Sequence, residues 1–432
     1  MRAWVAAGAL VVLAAVVVVV LGLSGGDEET GSGARPRSDP ETQRRVERIA
    51  RRIERIRGLG FDEVPRVAVV RAEQVRRFAL GRFDSEYPRE RQLRDEEALK
   101  LLGLLAPDDR IRDIVAKVFS EKVAGFYDPK SDRLSVVGGG LRGFEAEITL
   151  AHELVHALED QRFELDLTDT ATFADDRLEA EQALIEGTAT VAMSDYAIGN
   201  LAGGGAPAGD RRLVIKQLAS AGIGDIPGLP PYVQASLIFP YAAGAAFVDR
   251  LERRGGWGAV DRALEDPPVS TEQVIHPRAY LDDVRPAAVR LSVGDRLGAG
   301  WRRVSASAFG EFDTSLLLQI ASSEAVSERA ADGWAGGRAE LWRRGRLDDE
   351  RCAAPCAERD VLVLGWRFDD AAQAAEFRRA AERWLGSLGA PDGRGGFVLE
   401  RGGAAALSAK GAAVTVAMAP TPALARVLVR RG

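Results

Sequence analysis

Histidine is nearly absent from this chain, with three residues in 432. Cysteine is scarcer still, with two. An excess of positive charge is also lacking: the formal net charge is −6, and the many arginines are interleaved with Asp and Glu. That balance excludes a nucleic-acid binder and leaves solvated helix faces as the reading of the arginines. With 46% hydrophobic and 28% charged residues, the composition is that of a globular protein and not a disordered one. The length suits two or three domains, and no internal repeat is visible.

The two cysteines stand close together in Cys352-Ala-Ala-Pro-Cys356. No other Cys or His lies nearby, which argues against a metal site there. In an oxidising compartment they are expected to form one small local disulfide. Closing so short a loop stabilises little by chain entropy.

Charge is absent altogether from Ala3 to Leu23, a run of 21 residues rich in Val, Ala and Leu. As a helix it would span about 31 Å, the thickness of a bilayer core. The run is longer than the core of a signal peptide, and Leu21-Gly22-Leu23-Ser24 is a poor cleavage site. Residues 1–23 are therefore expected to be an uncleaved membrane anchor, with secretion after cleavage as the alternative. Asp27, Glu28 and Glu29 follow the segment and favour an extracytoplasmic body, although the later arginines pull the other way. Residues 24–40, rich in Gly, Pro and acids, read as a flexible stalk.

Beyond the stalk, Glu41–Arg57 carries Val46, Ile49, Ile53 and Ile56 at helical spacing. Val64–Val70 reads as a strand and Glu90–Leu105 as a helix. Two β-rich runs flank Asp128-Pro129-Lys130-Ser131-Asp132, which predicts a hairpin. Long helices are expected from about Glu145 to Arg162, Asp175 to Ile198 and Pro231 to Arg253. From about Leu291 onward the pattern changes to a smaller α+β unit of unknown role. Its strands are expected at Arg338–Arg344, Val361–Phe368, Phe397–Arg401 and Val414–Ala419, with helices near Asp370–Leu385 and Ala423–Arg431.

What little histidine there is, is concentrated. Two of the three sit in His152-Glu153-Leu154-Val155-His156. On a helix, positions i and i+4 share a face, so both imidazoles can hold one zinc ion while Glu153 acts on water. The uncharged neighbours Leu150, Ala151, Ala157 and Leu158 suit a buried helix, and no proline interrupts it. A hairpin upstream offers a strand edge to an extended substrate.

A catalytic zinc also needs a third protein ligand and an open position. His276 is distant, and the spacing HExxHxxGxxH is absent because Glu159 and Arg162 occupy those places. Glu186, in Glu186-Gly187-Thr188-Ala189, stands 30 residues after His156, far enough for a second helix to return. Leu178, Ala180, Ala183, Leu184, Val191 and Met193 surround it with apolar positions. A buried carboxylate there is costly unless a metal pairs with it. Glu179 and Glu181 are alternatives nearer the helix start. His276 and Tyr241 are candidate donors to a developing oxyanion, and His276 equally fits a turn cap.

His152-Glu153-x-x-His156 followed by Glu186-Gly187-x-Ala189 resembles the gluzincin group of zinc metallopeptidases over roughly residues 60–200. The resemblance implies a zincin-like, mostly helical catalytic domain with a small antiparallel sheet, at 41–290, followed by the α+β domain at 291–432. It implies zinc held by His152, His156 and Glu186, Glu153 as general base, and a peptide or protein substrate outside the membrane. One departure is Thr190, where some members of the group carry an acid that orients a ligand histidine. Asp160 is a possible substitute. Phe239-Pro240-Tyr241-Ala242-Ala243-Gly244 and the stretch from Pro267 to Pro277 are similar to phrases in uncharacterised bacterial envelope proteins with HExxH. A rival reading is a zincin-like binding module without activity, against which the intact Glu153 argues. Another is a zinc hydrolase of other amides, such as cell-wall material.

Overall fold

The computed structural model describes residues 40–122, 125–128, 133–137, 143–165, 175–201, 211–215, 226–346 and 355–430. The expected anchor, nearly all of the stalk, the hairpin turn and Cys352 lie outside the described residues. Among those described, no helix is long and apolar enough to cross a membrane.

The architecture is α+β. Helix α1 (Pro40–Arg57) buries Val46, Ile49, Ala50 and Ile53, the stripe expected from its spacing. Strand β1 (Arg66–Val70) follows, then three helices: α2 (Ala72–Glu86), α3 (Arg89–Leu102) and α4 (Ile111–Lys122). Strands β2 (Gly125–Asp128) and β3 (Arg133–Val137) form the expected antiparallel hairpin. The small sheet is not wholly antiparallel, however. Its order is β1-β3-β2, and β1 pairs with β3 in parallel. The physical reason is the intervening α2–α4 segment, which is long enough to carry the chain back to the starting end of the sheet.

Helices α5 (Phe144–Phe163), α6 (Asp176–Leu201) and α7 (Pro231–Gly255) form the centre of the molecule. Every residue of α5 from Leu150 to Glu159 is buried, so the helix is covered on all sides. It packs between α1 and α6, and α6 packs in turn on α7. Pro231 opens α7 at a position where a missing N–H costs nothing. Three short helices follow: α8 (Trp257–Glu265), α9 (Thr271–Ile275) and α10 (Pro277–Leu281).

The remaining chain builds a seven-stranded antiparallel sheet. Its elements are β4 (Trp301–Ala308), α11 (Glu311–Gln319), α12 (Glu324–Ala331), β5 (Trp334–Arg344), β6 (Asp360–Phe368), α13 (Ala371–Leu388), β7 (Gly389–Pro391), β8 (Gly396–Leu399), β9 (Ala404–Lys410), β10 (Ala413–Ala419) and α14 (Pro422–Val429). The strand order is β4-β5-β6-β10-β9-β8-β7. Cys356, beside this sheet, is disulfide-bonded.

The largest hydrophobic core joins residues from both sides of position 291. It packs Phe83, Leu99, Leu102 and Val115 of α2–α4 together with Trp334, Trp366, Phe377 and Trp384. Each buried indole N–H finds an acceptor: Trp334 on Phe309 O at 3.0 Å, Trp366 on Thr314 Oγ1 at 2.9 Å, and Trp384 on Leu102 O at 3.1 Å. The last of these ties α13 to the end of α3. Arg343 of β5 reinforces the seam, pairing with Glu97 of α3 at 3.1 Å and with Asp360 of β6.

A second seam is acidic. Asp176, the first residue of α6, accepts from Thr271 N at 2.8 Å and Thr271 Oγ1 at 2.6 Å. Tyr232 OH donates to Asp313 at 2.7 Å, and Glu179 is buried beside them. Burial is the largest cause pushing these acids up: Asp176 and Asp313 to about 7, Glu179 well above its ordinary range. The folded state thus holds protons that the unfolded chain, titrating near pH ~4, gives up. The stability contributed by the protonated acids is complete below pH ~4 and is lost as pH rises through about 7. The urea midpoint should therefore fall between pH 5 and 8, and Asp176→Asn should flatten that fall and exceed wild type at pH 8. Parallel midpoint curves for the two proteins would contradict this assignment.

Candidate metal centre

Three side-chain atoms from two helices converge. His152 Nε2 lies 3.1 Å from Glu186 Oε2, His156 Nε2 lies 3.0 Å from His152 Nε2, and His156 Nε2 lies 3.6 Å from Glu186 Oε2. All three residues are buried, and their ligand atoms fall within 4.8 Å of one another. The donor set, two imidazoles and a carboxylate, is one that suits zinc. Two ring nitrogens and a carboxylate oxygen aimed at one point leave donor capacity unused. Glu186 Oε1, the second oxygen of the converging carboxylate, is buried without a hydrogen-bond partner among the described residues. The residues present therefore fit a divalent ion, and they are the three that the motif resemblance implies. Glu179 sits with Asp313 and not with the histidines, and Glu181 pairs with Arg177 at the helix surface.

Electrostatics separate the two glutamates. Burial alone would raise Glu186, but the charges and hydrogen bonds of His156 and His152 outweigh it and hold the carboxyl down to about 2. Glu153 goes the other way. Burial pushes it up to about 8, the nearby His152 opposes, and the Glu186 charge adds to the rise. Its Oε2 accepts the backbone N–H of Tyr127 at 3.0 Å, so strand β2 fixes this carboxylate's orientation.

Tyr241 of α7 reaches the same place. Its ring stacks on His152 with centroids 5.9 Å apart and planes at 26°. The hydroxyl is buried and lies against the Glu186 carboxylate. Burial, and then the charges of Glu186 and Glu153, raise it well above the usual tyrosine range. It is accordingly a neutral O–H, able to donate. His276 is not brought to the pair. Its Nε2 lies 2.9 Å from Glu311 Oε1 and 3.9 Å from Asp332 Oδ1, in a separate cluster. Its backbone closes α9 through an N–H to Glu272 O at 2.7 Å, the turn-capping position.

Asp160 accepts from Tyr127 OH at 3.3 Å. The acid within electrostatic reach of His156 is Glu159, buried in an ion pair with Arg57 at 2.8 Å. Arg57 in turn binds Asp261 at 2.8 Å and lies 4.2 Å over the Trp257 ring. Sequence reasoning missed this group because its members come from three helices. The unexpected arginine on the apolar stripe of α1 was the available signal.

Residues 296–428 are similar to a family described as a domain of unknown function, DUF8575. That stretch covers the seven-stranded sheet and none of the three converging side chains. No curated protein and no solved structure matches the chain.

Backbone contact positions Glu186. A Cβ on Gly187 would stand 2.3 Å from the Gly244 carbonyl, and a Cβ on Gly244 would stand 1.9 Å from Ala183 O. Helices α6 and α7 thus cross with no side chain between them. This gives the glycine after Glu186, and the Phe239–Gly244 phrase, a steric reason. Gly244→Ala should destabilise by about 1–3 kcal/mol through overpacking. Gly81→Ala, at an open and exposed helical position, should be neutral or stabilise by about 0.5–1 kcal/mol. Urea unfolding of both variants checks the contrast, and equal midpoints would refute the close crossing.

Proposed function

We propose that this chain is a zinc-dependent hydrolase of the gluzincin type, most simply a peptidase. The observation that carries the reading is the burial of His152, His156 and Glu186 around one point, with Glu153 and Tyr241 on its border. A zincin-like fold for residues 41–290 is part of the same proposal. So is the expected membrane anchor with an extracytoplasmic body, which the disulfide at Cys356 favours.

His152, His156 and Glu186 would hold the ion. When bound, zinc supplies Lewis acidity, which acidifies water and polarises a carbonyl. The chain's own residues do the rest. In its ionised form Glu153, oriented by the Tyr127 N–H, takes a proton from the attacking water and delivers it to the leaving amine. Tyr241 donates its hydroxyl proton as a hydrogen bond to the oxyanion that develops on the carbonyl. β2 is an edge strand of its sheet and lies next to Glu153. An extended peptide pairing with that edge would bring its backbone to the carboxylate.

Purified protein should digest casein. Glu153→Gln should lose at least about 100-fold in rate while keeping its zinc. Tyr241→Phe should lower kcat by about 10–1000-fold, again with zinc retained. Glu186→Ala should lose the ion as well as the activity. Digestion by Glu153→Gln at the wild-type rate, or zinc in this site surviving Glu186→Ala, would overturn the roles given.

A further inference from the structure

A second cluster of the same chemical kind lies at the seam between the helical region and the large sheet. It is built from His276, between α9 and α10; Glu311, the first residue of α11; and Asp332, just after α12. One ligand atom from each falls within 4.8 Å of the others. Glu311 Oε1 is 2.9 Å from His276 Nε2. Its other oxygen, Oε2, is buried with no hydrogen-bond partner among the described residues, in a side chain only 5% exposed. Glu272, one turn before His276, adds another buried carboxylate oxygen without a partner. Asp369 contributes further negative charge to both glutamates. Among the described residues, no lysine or arginine forms an ion pair with Glu272, Glu311, Asp332 or Asp369. Of those residues, the single imidazole is therefore the one group that offsets four carboxylates.

Leaving a buried carboxylate oxygen unmatched is costly, and gathering several acids around one histidine compounds that cost. Both glutamates respond in the expected direction. Burial and mutual repulsion lift Glu272 to about 7, and burial raises Glu311 despite the His276 hydrogen bond. A divalent cation would satisfy these oxygens at once. The imidazole nitrogen and carboxylate oxygens form a mixed N/O set, which favours Zn2+, Mn2+ or similar ions over an all-oxygen Ca2+ cage. The His276 side chain is 43% exposed and that of Asp332 is 68% exposed, which leaves an entry path and room for water ligands.

We infer that His276, Glu311 and Asp332, with Glu272 adjoining, form a second divalent-cation site, separate from the His152–His156–Glu186 centre and bridging its helical surroundings to the DUF8575-like region. His276 comes from outside the matched stretch, whereas Glu311 and Asp332 come from within it. An ion held by both would stitch the two together, a structural role that needs no catalytic base.

The test is metal stoichiometry on the full-length chain. After chelator treatment and reloading with Zn2+, wild type should hold two ions per chain. The His152→Ala/His156→Ala variant should hold one, and adding Zn2+ to it should raise its melting temperature. His276→Ala and Asp332→Asn alter side chains that are 43% and 68% exposed, and a melting curve of each metal-free variant checks that it is folded. Each should remove one ion from the wild-type count, or weaken the second binding event at least tenfold in Zn2+ titration. If His276→Ala and Asp332→Asn leave the stoichiometry and both affinities unchanged, the second site does not exist. If wild type binds a single ion that the His276 and Asp332 variants lose, this site stands and the proposed catalytic centre falls. If that single ion is lost only from the His152/His156 variant, the catalytic centre stands and the second site falls.

Discussion

The contact of α6 with α7 at Gly187 and Gly244 is the constraint on which the site depends. Backbone meets backbone there, with no room for even a methyl group. One residue before the contact stands Glu186, which the crossing presses toward α5 and its two histidines. Three residues before Gly244 stands Tyr241, brought by the same helix onto the His152 ring. A carboxylate with no exposed surface of its own is thus fixed in place by packing. The imidazoles then hold it in its ionised form. The site is preorganised by steric exclusion, and its charges are a consequence of where the backbones are forced to lie.

Two layers of electrostatic organisation follow. Around the histidine pair, polar partners are matched: Arg57 pairs with Glu159 and Asp261, and the imidazoles lie against Glu186. At the seam near α9 and α11 the balance tips to acid. Asp176, Glu179 and Asp313 form one group and Glu272, Glu311 and Asp332 another. Such groups cost folding energy as they stand. Each also offers a place where protons or cations set how tightly the two parts of the molecule hold together.

Much of this was legible in the sequence, for reasons that differ by element. Helix α5 and the meeting of His152 with His156 on one face of it follow from two rare residues at i, i+4 spacing. Glu186 followed from a buried position on a helix that had to return. The boundaries of β6, β10 and α13 fall close to those read from pattern, because each carries a long apolar or β-rich run, whereas β5 begins at Trp334, four residues before the expected Arg338. Strand β9 did not show itself, since Ala404-Ala405-Ala406-Leu407-Ser408-Ala409-Lys410 has little intrinsic strand preference and is held by β8 and β10. The parallel pairing of β1 with β3 was invisible because nothing local encodes the direction of a partner some 65 residues away. The location of His276 was hidden for the same reason, as its partner Glu311 is 35 residues on.

The connection between β1 and β3 has a consequence for how the chain is made. Helices α2–α4 carry a broad apolar surface, and much of what covers it, including Trp334, Trp366, Phe377 and Val416, comes from the last third of the sequence. A nascent chain emerging from its N-terminal end therefore presents these helices long before their cover exists. Contacts between residues this far apart form slowly. The small sheet itself packs in a different core, where Val67, Tyr127 and Leu134 meet α1, α5 and α6, so only the α2–α4 connection between its strands waits for that cover. The last third of the chain thus serves as the cover for a connection made near its beginning.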